Sequence, residues 1–199
     1  MIKIKNVQDC CGCSACAQRC PKRCITMTED EEGFLYPKVD VSKCIDCHLC
    51  EKVCPVINQD EARTPLEVYA AKNSDDDIRL KSSSGGIFTL LAEQTIKGGG
   101  VVFGACWDKD WNVKHDYIDN ISDLQRFRSS KYLQSVIGDN YLKSEQFLKT
   151  GRKVMFTGTP CQIAGLKHFL RKEYDNLLAV EIICHSVPSP VSYTHLTLP

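Results

Sequence analysis

The sequence predicts an α+β protein in two unequal parts, a small cysteine-rich head and a larger mixed α/β body. Three observations predict it. Of 13 cysteines, ten fall between Cys10 and Cys54. One cysteine–proline motif is written twice inside that stretch. The remainder alternates short β-branched and aromatic runs with longer segments of helical character,. Lysine plus arginine equals aspartate plus glutamate at 25 each. That balance argues against a chain built to neutralise nucleic-acid phosphates and against a polybasic membrane patch. No apolar run approaches the ~20 residues of a membrane span, and the start MIKIKNVQDC lacks the apolar stretch of a secretory signal,. The expected location is the cytoplasm. An odd cysteine count in a reducing compartment points to metal rather than to disulfides.

The head, residues 1–59, carries the two motifs. Cys10, Cys13, Cys16 and Cys20 with Pro21 spell C-x-x-C-x-x-C-x-x-x-C-P, and Cys44, Cys47, Cys50 and Cys54 with Pro55 repeat it. Three cysteines at three-residue intervals wrap a loop round one corner of an iron–sulfide cube. The fourth, a helical turn further on, points away and ligates the other cluster. The expected 4Fe–4S ligand sets are therefore Cys10, Cys13, Cys16 and Cys54 for one cluster, and Cys44, Cys47, Cys50 and Cys20 for the other. A zinc ribbon lacks the third cysteine and the Cys-Pro ending. Cys44-Ile-Asp-Cys47-His48 also matches a haem-attachment string, but both cysteines belong to the larger repeat, so His48 reads as a surface residue. Cys11 and Cys24 are left over and read as small apolar residues. Between the motifs, residues 25–28 and 34–39 read as a hairpin whose acidic turn is solvated. The whole head resembles the bacterial two-cluster ferredoxins.

Residues 58–65 are polar and end in proline, as a linker would,. In the body, residues 67–72 (EVYAAK) read as a strand, and Ser74 as the cap of a short helix from Asp75. Asp75, Asp76 and Asp77 suit the positive end of that helix. Ser82, Ser83, Ser84, Gly85 and Gly86 then open an apolar helix that stops at Gly98,. Small residues and hydroxyls at a helix start suit either a bound phosphate or a plain serine cap. Residues 101–107 and 113–119 read as paired strands, and residues 139–149 as a helix. The run VMFTGTPCQIAGL from Val154 reads as strand, tight turn and helix, with Thr159 as N-cap and Pro160 at the first helical position. Cys161 then sits in the first turn, where the helix dipole lowers a thiol pKa, and is the candidate catalytic residue. Residues 177–185 read as a last strand ending at Cys184 and His185. Ligands collect at the carboxyl ends of strands in open α/β sheets, so the Cys161 and Cys184 turns are expected to converge. A further cluster held by Cys106, Cys161 and Cys184 is a minor alternative.

SSSGGIFTLL, SSKYLQS, VMFTGTPCQIAGLKHFL and EIICHSVPSP, in this order behind the ferredoxin-like head, resemble the coenzyme F420 hydrogenase/dehydrogenase beta subunit family. The resemblance runs from about Cys10 to Pro190. It implies an iron–sulfur flavoprotein that passes electrons between two 4Fe–4S clusters and FAD, to or from a soluble small-molecule acceptor of the coenzyme F420 type or another substrate. An electron-donor protein or a hydrogenase or dehydrogenase subunit is the implied partner. By the same resemblance the body is a mixed α/β flavin-binding domain, its N-terminal part at residues 67–150 and its C-terminal part starting at residue 151. Ser82, Ser83, Ser84, Gly85, Gly86, Ser130, Lys131 and Tyr132 become flavin-site candidates. Ser186 departs from the family, which reads Cys-His-Gly there. Residues 191–199 depart abruptly and read as the conceptual translation of a transposon-end sequencing adapter, with the natural chain continuing past Pro190. The rival to an enzyme is a non-catalytic electron-transfer subunit that docks its head on a partner.

Overall fold

The repeat in the head is a repeat of backbone as well as of cysteines. In the computed structural model, which describes residues 1–61 and 64–196, each motif ends in a short helix, α1 (Ala15–Arg19) and α2 (Leu49–Lys52). Gly12 and Asp46, at equivalent places, take φ of 63° and 49°, and Ser14 and His48 take 63° and 57°. Left-handed residues between the cysteines turn successive backbone N–H groups to one side, the nest geometry that cradles anions. Between the motifs, β1 (Ile25–Glu29) pairs antiparallel with β2 (Leu35–Val39), Ile25 facing Val39. Asp30 closes the acidic turn by accepting from the N–H groups of Glu32 (3.0 Å) and Phe34 (2.9 Å).

In the body, the segment 67–72 joins no sheet, contrary to expectation. Its alternation is that of a strand, but no partner ladder covers it, and Leu66, Val68 and Tyr69 stand exposed. The cap of α3 (Asp76–Leu80) is Asp75 rather than Ser74, its Oδ1 accepting from the N–H of Ile78 at 3.0 Å. The cap of α4 (Ile87–Lys97) is Gly86 at φ 74° rather than a serine. The expected pair follows as β3 (Val101–Trp107) and β4 (Val113–Ile118), antiparallel, and then α5 (Asn140–Lys149). The run β5 (Val154–Gly158), Thr159 and α6 (Pro160–Leu170) forms the expected strand, turn and helix with Thr159 as N-cap, and Gln162 Oε1 accepts from the Thr159 N–H at 3.0 Å to complete a capping box,. The last strand, β6 (Leu177–Glu181), stops four residues earlier than expected, with Ile182 and Ile183 exposed beyond it. A final helix, α7, spans Pro190–Leu196. Parts of the expected linker (residues 62–63) and tail (residues 197–199) lie outside the described residues.

The sheet order is β4-β3-β5-β6, with β3, β5 and β6 parallel and β4 antiparallel at one edge. The two-residue period of the strands sorts the core. Val101, Phe103, Val154 and Phe156 face α5 and α6, whereas Val102, Cys106 and Met155 face α4. The head lies on the α5–α6 side and shares that core through Cys13, Ala15 and Val53. Gln18 Oε1 accepts from the N–H groups of Tyr141 (3.0 Å) and Leu142 (3.2 Å), so a head side chain satisfies two orphan amides at the start of α5,. Gln134 of the body accepts from Leu35 N–H at 3.2 Å, and Arg19 lies 5.1 Å over the Phe169 ring.

Candidate functional site: two thiol rings and a shared cavity

The fold brings the eight repeated cysteines together in two rings. Cys10, Cys13, Cys16 and Cys54 line one void beneath Ile4, Met27 and Val56. Cys44, Cys47, Cys50 and Cys20 line a second, closed by Ile25 and Val39. Of the repeated cysteines, each void thus takes three from its own motif and one from the other, and Cys11 also lines the first void and Cys24 the second. Among the described residues no group of three His, Cys, Asp or Glu side chains is placed to hold a single metal ion; the thiols stand round a space instead of meeting at a point. Burial and the neighbouring thiols push Cys16 up to about 12, and burial pushes Cys10 and Cys50 up as well. For these three thiols burial favours the protonated form, a preference that a cationic iron core would reverse by drawing out thiolates. Four sulfur donors and a nest of N–H groups fit a 4Fe–4S core at each void.

Cys24 is buried and lines the second void, its sulfur 3.4 Å from that of Cys20. His48 is a surface residue, bonded to Glu51 at 2.6 Å.

A wide cavity opens where the head meets the carboxyl ends of β5 and β6. One lobe, about 390 Å³, touches Cys10 and Cys11 of the head and Thr159, Cys161 and Cys184 of the body. A second, about 450 Å³, runs along the loop of Ser82, Ser83, Ser84, Gly85 and Gly86 at the start of α4. The lobes share Ala105, Ser130, Lys131, Thr157 and Ile182. Space on this scale suits an organic ligand or cofactor rather than an ion. Ser83 Oγ accepts from the N–H of Ser130 at 2.8 Å, joining the two segments singled out in the sequence. Lys131 donates to the carbonyls of Arg126 (3.2 Å) and Arg128 (2.7 Å), and burial brings its ammonium down to about 8. Tyr132 is 66% exposed and lines neither lobe.

The turns at Cys161 and Cys184 do converge on the first lobe, while His185 is exposed outside it. Cys106 lies in the α4-side core, away from both, so the three body cysteines do not meet. The Cys161 thiol is held up rather than down. A hydrogen bond with Cys11 and burial outweigh the bond from Thr159 at 3.1 Å and the helix start. The sequence offered no sign of Cys11 in this place, because its neighbour comes from the other end of the chain. It also left Arg128 unmarked within a basic stretch, although Arg128 lines the second lobe and donates to Thr89 Oγ1 at 3.2 Å.

His115 lies in the wall of the first lobe, 4% exposed and stacked on Phe156 with ring centroids 5.5 Å apart. Its Nε2 donates to the Thr157 carbonyl at 3.0 Å, leaving Nδ1 as a buried acceptor without a partner. Burial lowers its pKa from 6.5 to about 4. The unfolded chain therefore binds this proton between pH 6.5 and 4 while the folded chain does not. Stability is expected to fall by roughly 3 kcal/mol as the pH drops through that window. Urea unfolding at stepped pH checks this: His115→Gln should flatten the slope, and an unchanged slope refutes it.

Residues 9–58 match the family model "4Fe-4S dicluster domain", and residues 151–198 match the model for the C terminus of the coenzyme F420 hydrogenase/dehydrogenase beta subunit. The coenzyme F420-dependent sulfite reductase of Methanocaldococcus jannaschii is 28% identical over 83% of this chain, which spans 26% of that protein. An uncharacterised ferredoxin of the same organism is 40% identical over 26% of this chain and 66% of its own length. In structure, a chain of the F420-reducing NiFe hydrogenase complex of Methanosarcina barkeri is similar at TM-score 0.52 and 25% identity, over 63% of this chain and 46% of that one. Among the described residues, no helix is long and apolar enough to cross a membrane. With a dicluster match in front and a beta-subunit match behind, the chain is similar in both segments to the coenzyme F420 hydrogenase/dehydrogenase beta subunit-like family.

Proposed function

We propose that this chain is the electron-transfer part of a cytoplasmic iron–sulfur flavoprotein oxidoreductase. It would exchange electrons between two 4Fe–4S clusters and an FAD that serves a soluble acceptor, of the coenzyme F420 type or another small molecule. The observation that carries the reading is a pair of adjoining cavities with a shared wall at Ser130 and Lys131, one lined by Cys10, a ligand candidate of the first cluster, and the other by the serine–glycine loop at the start of α4. A bound flavin supplies the change from one-electron to two-electron chemistry. The chain's own residues bind and orient. The amides at the start of α4 and the Ser82, Ser83 and Ser84 hydroxyls suit the anionic diphosphate, and Lys131 adds a cation beside them. Cys10, Cys13, Cys16 and Cys54 hold the cluster nearer the cavity, and Cys20, Cys44, Cys47 and Cys50 hold the other. The similar chain belongs to a hydrogenase complex, which supports docking of a partner subunit as the electron donor.

The test is anaerobic reconstitution of this chain with iron, sulfide and FAD. Iron near eight per chain with bound flavin supports the reading, whereas the same iron without flavin refutes it and leaves an electron-transfer subunit. Lys131→Ala should weaken flavin binding roughly tenfold, the order of one charge-assisted hydrogen bond, while sparing the iron–sulfur absorbance. Because Lys131 is charged below about pH 8, flavin affinity should fall as the pH rises through 8 in the unaltered chain and stay level in the variant. A titration followed by flavin fluorescence reads both, and equal affinities would remove Lys131 from the site.

A further inference from the structure

Elsewhere in the chain arginines meet carboxylates: Arg19 with Glu145, Arg79 with Asp76, Arg126 with Asp116 and Arg152 with Asp119. Arg128 is different. It lines the second lobe, and its Nε donates to Thr89 Oγ1 at 3.2 Å. Both terminal nitrogens, Nη1 and Nη2, are left with no acceptor among the described residues. We infer that Arg128 reads the anionic part of the ligand in this lobe, clamping a phosphate or diphosphate through that open fork. It thereby makes the site selective for phosphorylated flavins over the bare ring system. This deepens the flavin reading and rests on it.

The arginine is held from three sides. Thr89, in the first turn of α4 and 1% exposed, fixes the guanidinium through Nε. Lys131 Nζ braces the backbone by donating to the Arg128 carbonyl at 2.7 Å. Phe127, one residue earlier, is buried in the α4-side core. The N–H of Ser130 donates to Ser83 Oγ at 2.8 Å, which ties this segment to the serine loop across the lobe. A fork fixed in this way loses little freedom when it takes a ligand.

The charges round the lobe favour an anion. The charged residues lining it are Arg128, Lys131 and Glu181, two cations against one carboxylate, and Glu181 is exposed at the end of β6. The two cations do different work. The Lys131 ammonium already donates to the carbonyls of Arg126 and Arg128, so it supplies charge and bracing. Directional donors come from Arg128, whose planar fork matches two oxygens of one phosphate as an ammonium does not.

The experiment titrates the anaerobically reconstituted chain with FAD and with riboflavin, read by flavin fluorescence, and with inorganic pyrophosphate, read by calorimetry. Arg128→Gln is expected to weaken FAD and pyrophosphate by about tenfold or more, the order of a hydrogen bond to a charged group. Riboflavin affinity and the iron–sulfur absorbance should not change. Arg128→Lys should recover only part of the loss, because it keeps the charge without the fork. Thr89→Val should weaken FAD by a smaller factor. Equal FAD affinities in Arg128→Gln and the unaltered chain overturn the inference and leave the flavin reading standing. Equal losses for FAD and riboflavin overturn it too, since Arg128 then only shapes the lobe. If the unaltered chain binds no flavin, the flavin reading fails and pyrophosphate decides for Arg128. Pyrophosphate binding that Arg128→Gln removes supports the clamp, whereas absent or unchanged binding overturns it. Should Arg128→Gln fail to fold, phenylglyoxal labelling of the unaltered chain decides: FAD or pyrophosphate should protect Arg128, and an Arg128 labelled equally with and without them sinks the inference.

Discussion

Replacing Cys20 by serine is expected to remove the cluster assigned to Cys44, Cys47, Cys50 and Cys20 and to spare the one assigned to Cys10, Cys13, Cys16 and Cys54. The reason lies in the direction of the chain after α1. Cys20 is the C-cap of that helix, with extended backbone at φ −68° and ψ 113°, and its thiol lines the void built by the second motif. Iron should fall from about eight to about four atoms per chain, and the dithionite-reduced spectrum should lose the magnetic interaction between two clusters. Cys24 stands beside Cys20 in the same void and can supply a substitute thiolate, so the full effect is expected in the Cys20→Ser, Cys24→Ser double variant. Folding is coupled to this metal core, and loss of four ligand bonds is expected to lower stability by several kcal/mol. Cys54→Ser should give the reciprocal pattern. If Cys20→Ser instead abolishes the first cluster alone, the crossed assignment fails.

The crossing was legible in the sequence because a fixed spacing forces it. Three-residue intervals bring thiols round a loop, and the added helical turn sends the fourth away. The strands β3, β4 and β5 and the N-cap at Thr159 were legible for similar local reasons. Where the outcome depends on what lies opposite, local pattern failed. Residues 67–72 alternate like a strand, yet no ladder covers them. The serines before α4 look like caps, yet Gly86 takes the left-handed turn and frees Ser83 to accept from Ser130. Nothing in the sequence around Gln18 announces that its carbonyl serves the amides of α5. The cavity belongs to the same class. The rule that ligands gather at strand ends anticipated the meeting of Cys161 and Cys184. That Cys11 and Cys10 form the facing wall follows only from how the head docks.

That docking passes through one residue small enough to allow it. Gly165 lies in the middle of α6, and a β-carbon built there meets Cys13 Cβ, Cys13 Sγ and Tyr141 Oη, each at 3.0 Å. None of these neighbours moves freely. Tyr141 is fully buried and donates to the Gln162 carbonyl at 2.8 Å, and the Cys13 sulfur, once bound to iron, is fixed by the cluster. Removing a helical glycine gains up to about 1 kcal/mol of helix propensity, and overpacking a filled core costs about 1–3 kcal/mol. In Gly165→Val the second effect wins, because two further methyl groups enter a space already closed on three sides. The strain falls on the ligand loop, which supplies two of the three atoms met. Gly165→Val is therefore expected to lose the cluster of Cys10, Cys13, Cys16 and Cys54 while keeping the other, the mirror image of Cys20→Ser. Gly165→Ala separates the packing effect from the cluster effect. Without iron the Cys13 thiol can rotate away while Cys13 Cβ and Tyr141 Oη still meet the added methyl, so the metal-free chain should be destabilised less than the reconstituted chain, which should also release iron from the first site faster. Equal iron release from Gly165→Ala and the unaltered chain, with two intact clusters in Gly165→Val, would show that α6 does not press on the ligand loop.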